Sequence, residues 1–294
     1  MRIDLHTHSD RSDGTESPSV LVHRAVAEGI DVLAITDHDT TESWPEAASA
    51  TETTGLTLVR AIEVSCRFAG YGVHLLAYLP DDTYPPLRDE LRRILDGRNS
   101  RLPATLERLR AIDIEIDVDD VRRVAGNTAA MGRPHVADAL VDLGVVSTRT
   151  HAFDAYLGPR GPAYVNRYAA DLVMMIRTIT EAGGVSVAAH PWASRHNHSA
   201  LDAAGFEALR DAGLVGIEVD HEDHDAETRE TLRGIAKELD LVVTGSSDHH
   251  GAGKRDHDLG CNVTAPGELE RLLDLAAQSS QASGRRTPEV LNAR

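Results

Sequence analysis

The chain has 294 residues, a net charge of -17 and two cysteines, Cys66 and Cys261. The excess of acidic side chains argues against a broad nucleic-acid-binding surface, so duplex nucleic acid is not an expected partner. No apolar run approaches the roughly 20 residues of a membrane span, no basic-then-apolar leader opens the chain, and two cysteines cannot form a disulfide framework. We therefore expect a cytoplasmic protein without membrane contact.

The first hundred residues are predicted to alternate between short strands and helices. An apolar, strand-like run occupies residues 2–6. Ser17 and Pro18 supply an N-cap and a proline at the first helical position, and the helix that follows is expected to end at Gly29. Three further strand-like runs come next, at residues 31–35, 56–62 and 72–78.

The middle of the chain has a different pattern. Residues 98–180 are rich in arginine and predict helices joined by loops that contain Gly and Pro, at residues 98–112, 118–125, 134–143 and 170–182. We interpret this segment as a helical insertion that caps the rest of the molecule. From residue 181 the alternation returns, with strands at 185–189, 215–219 and 241–244 and helices at 201–212 and 226–239.

The order of these elements predicts the fold class. Alternating β and α units favour a parallel sheet with helices outside it. Ligand-type side chains at the C-terminal ends of successive strands indicate an α/β barrel, because the active site of a barrel occupies that face. We expect the barrel to consist of residues 1–97 and 181–278, with the helical insertion at 98–180 and a flexible tail at 279–294.

Imidazole and carboxylate side chains recur directly after the predicted strands. A single histidine is usually a surface or hydrogen-bonded core residue, but here nine such side chains share the same placement. These are the side chains that hold Zn, Mn or Fe, so the pattern predicts one multi-metal hydrolytic centre. The nine candidates are His6, His8, Asp13, His38, Glu63, His74, His190, Asp248 and one of His249 and His250.

The motifs around these residues resemble the polymerase and histidinol phosphatase (PHP) family. They are Asp-Leu-His-Thr-His-Ser at residues 4–9 with Ser-Asp-Gly at 12–14, Thr-Asp-His-Asp at 36–39, Ala-His-Pro at 189–191 and Ser-Asp-His-His-Gly at 247–251. The resemblance implies a distorted (βα)7 barrel with a trinuclear metal centre. Within the family, the insertion with Gly-Arg-Pro-His at 132–135 is similar to the TrpH-like nucleotide phosphoesterase branch.

The resemblance also implies an assignment of ligands to three divalent ions. The first ion would be held by His6, His8, Glu63 and Asp248, the second by Asp13, His38 and His250, and the third by Glu63, His74 and His190. Mn²⁺ is the expected metal, with Zn²⁺, Fe²⁺ and Mg²⁺ as alternatives. Asp37 and Asp39 are expected to orient imidazoles rather than bind metal. His257 is expected to be solvated, and His221 and His224 to lie near the site.

The expected chemistry is hydrolysis of a phosphate ester. A hydroxide that bridges the metal ions would attack phosphorus, with Glu63, Asp248 and His190 as the catalytic residues. Substrate contacts are expected from Arg133 and His135, which the resemblance places beside the phosphate, and from Arg195 and His224.

Several functions remain open. The first is a phosphatase that acts on a 3',5'-bisphosphate nucleotide or an AMP-like nucleotide, and the alternatives are a 5'-to-3' exoribonuclease on short RNA ends, a histidinol-phosphate phosphatase and an inactive PHP interaction module. An amidohydrolase bridged by carbamylated lysine is disfavoured because no lysine precedes Lys237. A P-loop nucleotidase is excluded because no Gly-x-x-x-x-Gly-Lys-[Ser/Thr] segment occurs. The expected partner is a small phosphorylated substrate, either a nucleotide or short single-stranded RNA.

Overall fold

A sheet of short strands forms the centre of the structure, a computed structural model that describes residues 1–126, 128, 131–193 and 201–292. Its strands are β1 (Ile3–Asp4), β2 (Val32–Ile35), β3 (Thr57–Phe68), β4 (Tyr71–Tyr78), β5 (Ala170–Asp171), β6 (Val185–Ala189), β7 (Gly216–Asp220) and β8 (Val242–Gly245). In the described residues the sheet runs in the order β1-β2-β3-β4-β6-β7-β8, and β5 pairs with β3 outside this path. The seven strands of the path form a nearly closed barrel, which confirms the predicted distorted (βα)7 fold.

The expectation of an all-parallel sheet is wrong at β4. This strand runs antiparallel to both β3 and β6. The two residues between β3 and β4, Ala69 and Gly70, both have positive φ, at 48° and 88°. Two such residues form the tight turn that joins antiparallel strands in a hairpin, so no crossover helix separates β3 from β4.

Ten α-helices are described around the sheet. They are α1 (Pro18–Ala27), α2 (Trp44–Thr54), α3 (Pro85–Arg110), α4 (Val118–Ala125), α5 (Arg133–Asp142), α6 (Arg149–Ala152), α7 (Leu172–Glu181), α8 (Ala203–Ala212), α9 (Ala226–Glu238) and α10 (Pro266–Ser283). The sequence did not predict α2 or α10. The interior of α2 is mostly Ala, Thr and Glu and lacks the aliphatic stripe that marks an amphipathic helix. No described helix is long and apolar enough to cross a membrane.

Helix α3 connects two hydrophobic cores. Its first turns contribute Leu87, Leu91 and Ile94 to the barrel core. Its last turns contribute Leu102 and other residues to a separate core that also holds apolar side chains of α4, α5 and α6. We call the segment around this second core the cap. The apolar face of α7 packs in the barrel core and not in the core of the cap. The boundaries of the helical insertion at residues 98–180 stay a prediction.

The C-terminal segment differs from the flexible tail expected at residues 279–294. Residues 279–283 form the end of α10, whose Leu269 and Leu272 pack on the barrel. Leu291 exchanges two backbone hydrogen bonds of 3.1 Å with Leu58. The Arg285 guanidinium lies 3.8 Å from the ring centre of Tyr84. These contacts involve described residues of the segment, and its flexibility stays a prediction.

Candidate metal centre

The ends of six strands bring the nine predicted ligands to one end of the barrel. His6 and His8 follow β1, His38 follows β2, Glu63 and His74 lie within β3 and β4, His190 follows β6, and Asp248 and His250 follow β8. Asp13 comes from the loop after β1. His190 and Asp248 have φ values of 26° and 52°, a conformation that is uncommon for residues other than Gly. Such strain clusters at functional sites, where the surrounding structure holds it in place.

All nine side chains occur in groups whose ligand atoms lie within 4.8 Å of one another. These groups do not coincide with the predicted assignment to three ions. In particular, His8 joins the residues expected at the second ion, and His6 joins Glu63 and His190. The assignment to individual ions therefore stays a prediction. The groups are His8, Asp13, His38 and His250; His6, His8 and Asp248; His6, Glu63 and His190; and His38, Glu63 and His74.

The Glu63 carboxylate lies at the centre of the cluster. Its Oε1 is 2.8 Å from Nδ1 of His74 and 3.0 Å from Nε2 of His190. Its Oε2 is 3.1 Å from Nε2 of His8 and 3.1 Å from Nδ1 of His38. Burial raises the pKa of this carboxyl, but the surrounding imidazoles outweigh burial and hold the pKa well below its usual value. An ionised carboxylate with a different set of imidazoles at each oxygen is suited to bridge two cations.

The two oxygens of Asp248 face different surroundings. Its Oδ1 lies 3.4 Å from Nε2 of His6 and 3.3 Å from Nε2 of His8. Its Oδ2 lies 2.6 Å from Nζ of Lys254 and 3.3 Å from Nε2 of His221. The carboxylate therefore presents one oxygen to the histidine cluster and the other to a cation.

Unpaired buried atoms show that the cluster fits divalent metal. Asp13 Oδ1, His38 Nδ1 and Asp248 Oδ1 are buried and form no hydrogen bond, although each lies within 3.4 Å of another ligand atom of the cluster. Leaving such an atom unsatisfied costs about 1–3 kcal/mol, and more if it is charged. A cation that accepts their lone pairs removes this cost, and imidazole and carboxylate are the ligands that Zn, Mn and Fe take.

Proton affinities in the cluster lead to the same conclusion. Burial alone would lower the pKa of the His8 imidazole, but Asp248 and Glu63 raise it to about 10. The pKa of His6 is also raised, since Glu218, Asp248 and Glu63 outweigh its burial. The carboxylates thus draw positive charge to this end of the barrel, and bound metal ions supply that charge in place of protons.

Glu218, on β7, supports the ligands and was not predicted from the sequence. Its Oε1 is 3.0 Å from Nδ1 of His6, and its Oε2 accepts a 2.7 Å hydrogen bond from the backbone N–H of His190. The side chain is fully buried, and His6 outweighs that burial to lower its pKa to about 2. The signal in the sequence was an acidic residue between two apolar ones, Ile217 and Val219, within a strand.

Asp37 and Asp39 form their hydrogen bonds with serines and with Arg98 rather than directly with an imidazole, which corrects the expectation for both. Asp37 accepts hydrogen bonds from the N–H and hydroxyl of Ser9 and from the hydroxyl of Ser12. Asp39 accepts hydrogen bonds from the N–H and hydroxyl of Ser65 and from Nε of Arg98. Asp37 and Asp39 flank His38 in the sequence. Their short side chains reach neighbouring N–H and hydroxyl groups more easily than they reach the ring of His38, which points into the site.

Two further histidines lie against the centre. His221 follows β7 and contacts Asp248 through Nε2. His257, which was expected to be solvated, is buried, and its Nδ1 donates a 2.6 Å hydrogen bond to the carbonyl of Ser247. The prediction for His257 was wrong because a loop after β8 folds back onto the barrel. His221, Asp248 and His257 form a fifth group with ligand-metal spacing.

A cavity of about 770 Å³ opens over the predicted ligands. The barrel contributes Glu63, His74 and Asp248 to its walls. The cap contributes Pro134 and Phe153, and the loop after β8 contributes Lys254, His257 and neighbouring residues. The cavity is large enough for a nucleotide-sized ligand and combines cap and barrel surfaces.

Three of the predicted substrate contacts, Arg133, His135 and His224, are not among the residues that line this cavity. Arg133 donates a 3.1 Å hydrogen bond to the carbonyl of Leu157 and lies 5.6 Å from the ring centre of Phe153. His135 is buried, and its Nδ1 accepts a hydrogen bond from the N–H of Gly132. The expectations for both residues stay predictions.

His224 and Arg195 are the other two predicted contacts. His224 is buried, with Nδ1 donating to the carbonyl of Val219 and Nε2 accepting from the N–H of Trp192. Arg195 lies outside the described residues. Their substrate contacts also stay predictions.

Comparison with known proteins decides the family. Residues 4–97 match the PHP domain, and they include six of the nine predicted ligands. A 5'-3' exoribonuclease of Haemophilus influenzae is 34% identical over 85% of this chain and 90% of its own length. The chain belongs to the PHP family. A 3',5'-nucleoside bisphosphate phosphatase of Chromobacterium violaceum, a further PHP relative, is 33% identical over 90% of this chain and 92% of its own length.

A solved structure agrees with this family assignment. A protein of Bifidobacterium adolescentis, assigned as a metal-dependent phosphoesterase, superimposes with a TM-score of 0.89 at 36% identity, over 93% of this chain and 96% of that chain. The PHP protein described here is accordingly a metal-dependent hydrolase of phosphate esters, and its His, Asp and Glu clusters can hold metal.

Proposed function

We propose that this PHP protein removes a phosphate group from a nucleotide, with a 3',5'-bisphosphate nucleotide as the preferred substrate and AMP-like nucleotides as weaker ones. The observation that carries the proposal is the convergence of the nine imidazoles and carboxylates in one cluster, seven of which line one cavity and three of which have buried atoms without a hydrogen bond. The name of the Chromobacterium relative supports the choice of substrate.

We propose that three divalent ions, with Mn²⁺ first, occupy the cluster. Asp13, His38 and His250 suit one site, and Glu63, with different imidazoles at each oxygen, suits a bridging position. When bound, the ions would supply Lewis acidity and activate the attacking water. Three such ions would add +6 against the -3 of Asp13, Glu63 and Asp248, which leaves a net +3 that attracts phosphate.

The residues of the chain keep this arrangement ready for the reaction. The Glu218 carboxylate contacts the ring of His6 and the backbone N–H of His190. Neither ligand therefore has to reorganise when substrate binds. His6 and His8 are fully buried within the cluster, which keeps bulk water away from these two ligands. Preorganised, water-excluded charge is the largest contributor to catalysis of this kind. We assign Glu63, Asp248 and His190 as the residues nearest the reacting phosphate.

The proposal is tested by phosphate release from a panel of four compounds. The Mn²⁺-loaded protein is incubated with 3'-phosphoadenosine 5'-phosphate, AMP, histidinol phosphate and a 5'-phosphorylated oligoribonucleotide. We expect the highest kcat/KM on the bisphosphate and a loss of at least about a thousandfold in Glu63→Ala, because that substitution removes ligands from two groups. Turnover of histidinol phosphate alone would refute the proposal in favour of a biosynthetic phosphatase.

A 5'-to-3' exoribonuclease is the second candidate. The Haemophilus relative bears that name, and an open groove of about 560 Å³ lies beside the cap, lined by Arg67, Arg101 and Arg167 among others. A basic groove outside the cavity could hold the rest of a single strand. Stepwise shortening of a labelled 5'-phosphorylated oligoribonucleotide faster than hydrolysis of the bisphosphate would favour this candidate.

The cytoplasmic location is likewise proposed. Cys66 is buried, Cys261 is exposed, and both are free thiols, as is usual in a reducing compartment.

A further inference from the structure

A salt bridge inside the cap lies beside two loops that carry predicted metal ligands. Arg149, the first residue of α6, donates from Nε to Oδ1 of Asp138 at 2.7 Å and from Nη2 to Oδ2 at 2.5 Å. Two parallel bonds of this kind fix the plane of the guanidinium. Burial lowers the pKa of Arg149, but Asp138 outweighs burial and raises it. Arg149 is therefore a fixed cation whose charge is already balanced within the cap.

The third nitrogen of this guanidinium reaches the first ligand loop, residues 9–16, which contains Asp13. Nη1 of Arg149 lies 3.5 Å from the carbonyl oxygen of Asp13 and donates to it. The hydroxyl of Thr128, also in the cap, lies 3.0 Å and 2.8 Å from the carbonyl oxygens of the two residues before Asp13. Three consecutive carbonyls of the loop thus face side chains of the cap.

The same guanidinium packs on the second ligand loop, residues 247–257, which contains His250. A Cβ at Gly253 would lie 2.6 Å from Nη1 and 2.8 Å from Nη2 of Arg149, closer than such atoms approach in folded proteins. The glycine lets the guanidinium lie directly against the backbone of this loop. Because Asp138 holds the guanidinium in place, Arg149 contacts both ligand loops at once.

The two ligand loops also bond to each other beside their predicted ligands. The N–H of Thr15 donates a 3.2 Å hydrogen bond to the carbonyl of His250, and the N–H of Ala252 donates a 3.0 Å bond to the Thr15 hydroxyl. Across the same contact, Oδ1 of Asp13 lies 3.2 Å from Nε2 of His250. These two side chains belong to one group with metal-ligand spacing. The separation of the loops therefore sets the separation of two predicted ligands.

We infer that Arg149, held by Asp138, is a positioning residue that fixes the spacing of Asp13 and His250 for metal binding. The inference rests on the proposed metal centre, since it adds a support from the cap to one of the ion sites. It assigns no substrate contact to Arg149. Groups that orient metal ligands typically change metal affinity by about 10–100-fold. The cap is thus needed to bind an ion as well as to cover the cavity.

Metal titration tests this role directly. We would add Mn²⁺ to metal-free wild type, Arg149→Met and Asp138→Asn, and measure the free ion by electron paramagnetic resonance. One class of sites should bind at least about tenfold more weakly in both variants, while the other sites keep the wild-type affinity. The double variant should bind no more weakly than Arg149→Met, since Asp138 acts through Arg149. Wild-type affinity at every site of Arg149→Met overturns the inference.

Arg123→Met is the matched control. Arg123 lies in the same cap, is exposed, and pairs with Asp120 on α4 and Asp142 on α5. This variant should bind Mn²⁺ like the wild type. A loss as large as that of Arg149→Met would show that any broken ion pair in the cap has the same effect, which contradicts the inference. Arg149→Lys keeps the charge without the planar fork and should recover part of the affinity.

Hydrogen exchange in EDTA-treated protein provides a readout that needs neither metal nor substrate. The backbone N–H groups of Gly14, Thr15 and Gly253 form hydrogen bonds within or between the ligand loops. They should exchange at least about tenfold faster in Arg149→Met than in Arg123→Met, while β6 keeps its protection. If Arg149→Met also loses protection in β6, Arg149→Lys takes its place in the comparison. Unchanged exchange in both loops overturns the inference.

The Mn²⁺ dependence of turnover separates this inference from the proposed function. Arg149→Met should need at least about tenfold more Mn²⁺ for half-maximal turnover of the bisphosphate, yet reach the wild-type kcat at saturation, because mass action repairs a weakened site. A lower kcat with an unchanged Mn²⁺ requirement refutes the positioning role and leaves the function standing. If the wild type cleaves no nucleotide but its Mn²⁺ affinity depends on Arg149, the function is refuted and the positioning role stands.

Discussion

Lys254 Nζ lies 2.6 Å from Oδ2 of Asp248, and this contact separates the tasks of the two carboxylate oxygens. Oδ1 is left facing His6 and His8 with no hydrogen-bond partner, as expected for an oxygen reserved for a metal. Lys254 is one of only two lysines in the chain and lines the cavity. Asp223 also lies 3.6 Å from its Nζ, so the ammonium is held in place from two sides.

Replacing this lysine should weaken catalysis. Lys254→Met should lower kcat/KM for the bisphosphate by about tenfold or more, because groups that orient a metal-binding carboxylate typically have effects of that size. Lys254→Arg keeps the charge and should recover part of the loss. Steady-state kinetics with Mn²⁺ measures both variants. Full activity in Lys254→Met would show that Asp248 needs no such support.

Removing the charge of Glu218 should impair metal binding. Glu218→Gln keeps the volume but leaves Nδ1 of His6 and the N–H of His190 without a carboxylate. We expect metal affinity to fall by about 10–100-fold, measured by competition with a chelating dye. Glu230→Gln, at an exposed position on α9, is the control and should bind metal normally. Equal affinity in the two variants would refute the proposed support.

Stability of the metal-free protein should depend on pH through His8. The folded-state pKa of His8 is raised to about 10, above its ordinary value, so its stabilising effect is fully present below about pH 6.5 and is lost as the pH rises through 10. The melting temperature of EDTA-treated protein should therefore fall from pH 6.5 to pH 10. Mn²⁺ should flatten this curve, because the metal replaces the proton. Parallel curves with and without Mn²⁺ would contradict this explanation.

Gly14 should be essential for the shape of the first ligand loop. A Cβ at this position would lie 2.3 Å from the carbonyl oxygen of His8, a contact that forces the backbone of a predicted ligand to move. Gly14→Ala should therefore reduce the bound metal measured by elemental analysis. The matched control is Gly267→Ala in α10, where a Cβ meets nothing within 4 Å and helix propensity should slightly favour alanine. Normal metal content in Gly14→Ala would show that the loop can adapt.

Much of the barrel could be predicted because its elements have local signals. β6 and α4 match the predicted ranges 185–189 and 118–125, since an apolar run or an amphipathic face identifies each one directly. The antiparallel direction of β4 was missed, because direction depends on the turn conformation at Ala69 and Gly70 rather than on the apolar pattern of the strand. The burial of His257 was missed for a similar reason, as the loop that contains it has no periodicity to show which side faces the barrel.

The sequence by itself determined which types of ligand side chain this protein has and their order along the chain. Nine imidazoles and carboxylates follow or lie within strands, and parallel strands in a barrel end on a common face, so the convergence of those that follow parallel strands could be expected. Only the tertiary structure decided which oxygen of Asp248 faces Lys254 and that Glu218 holds two ligands. These relationships join residues that are distant in the chain. Their energies depend on burial and on distances of a few ångströms, which no local pattern in the sequence specifies.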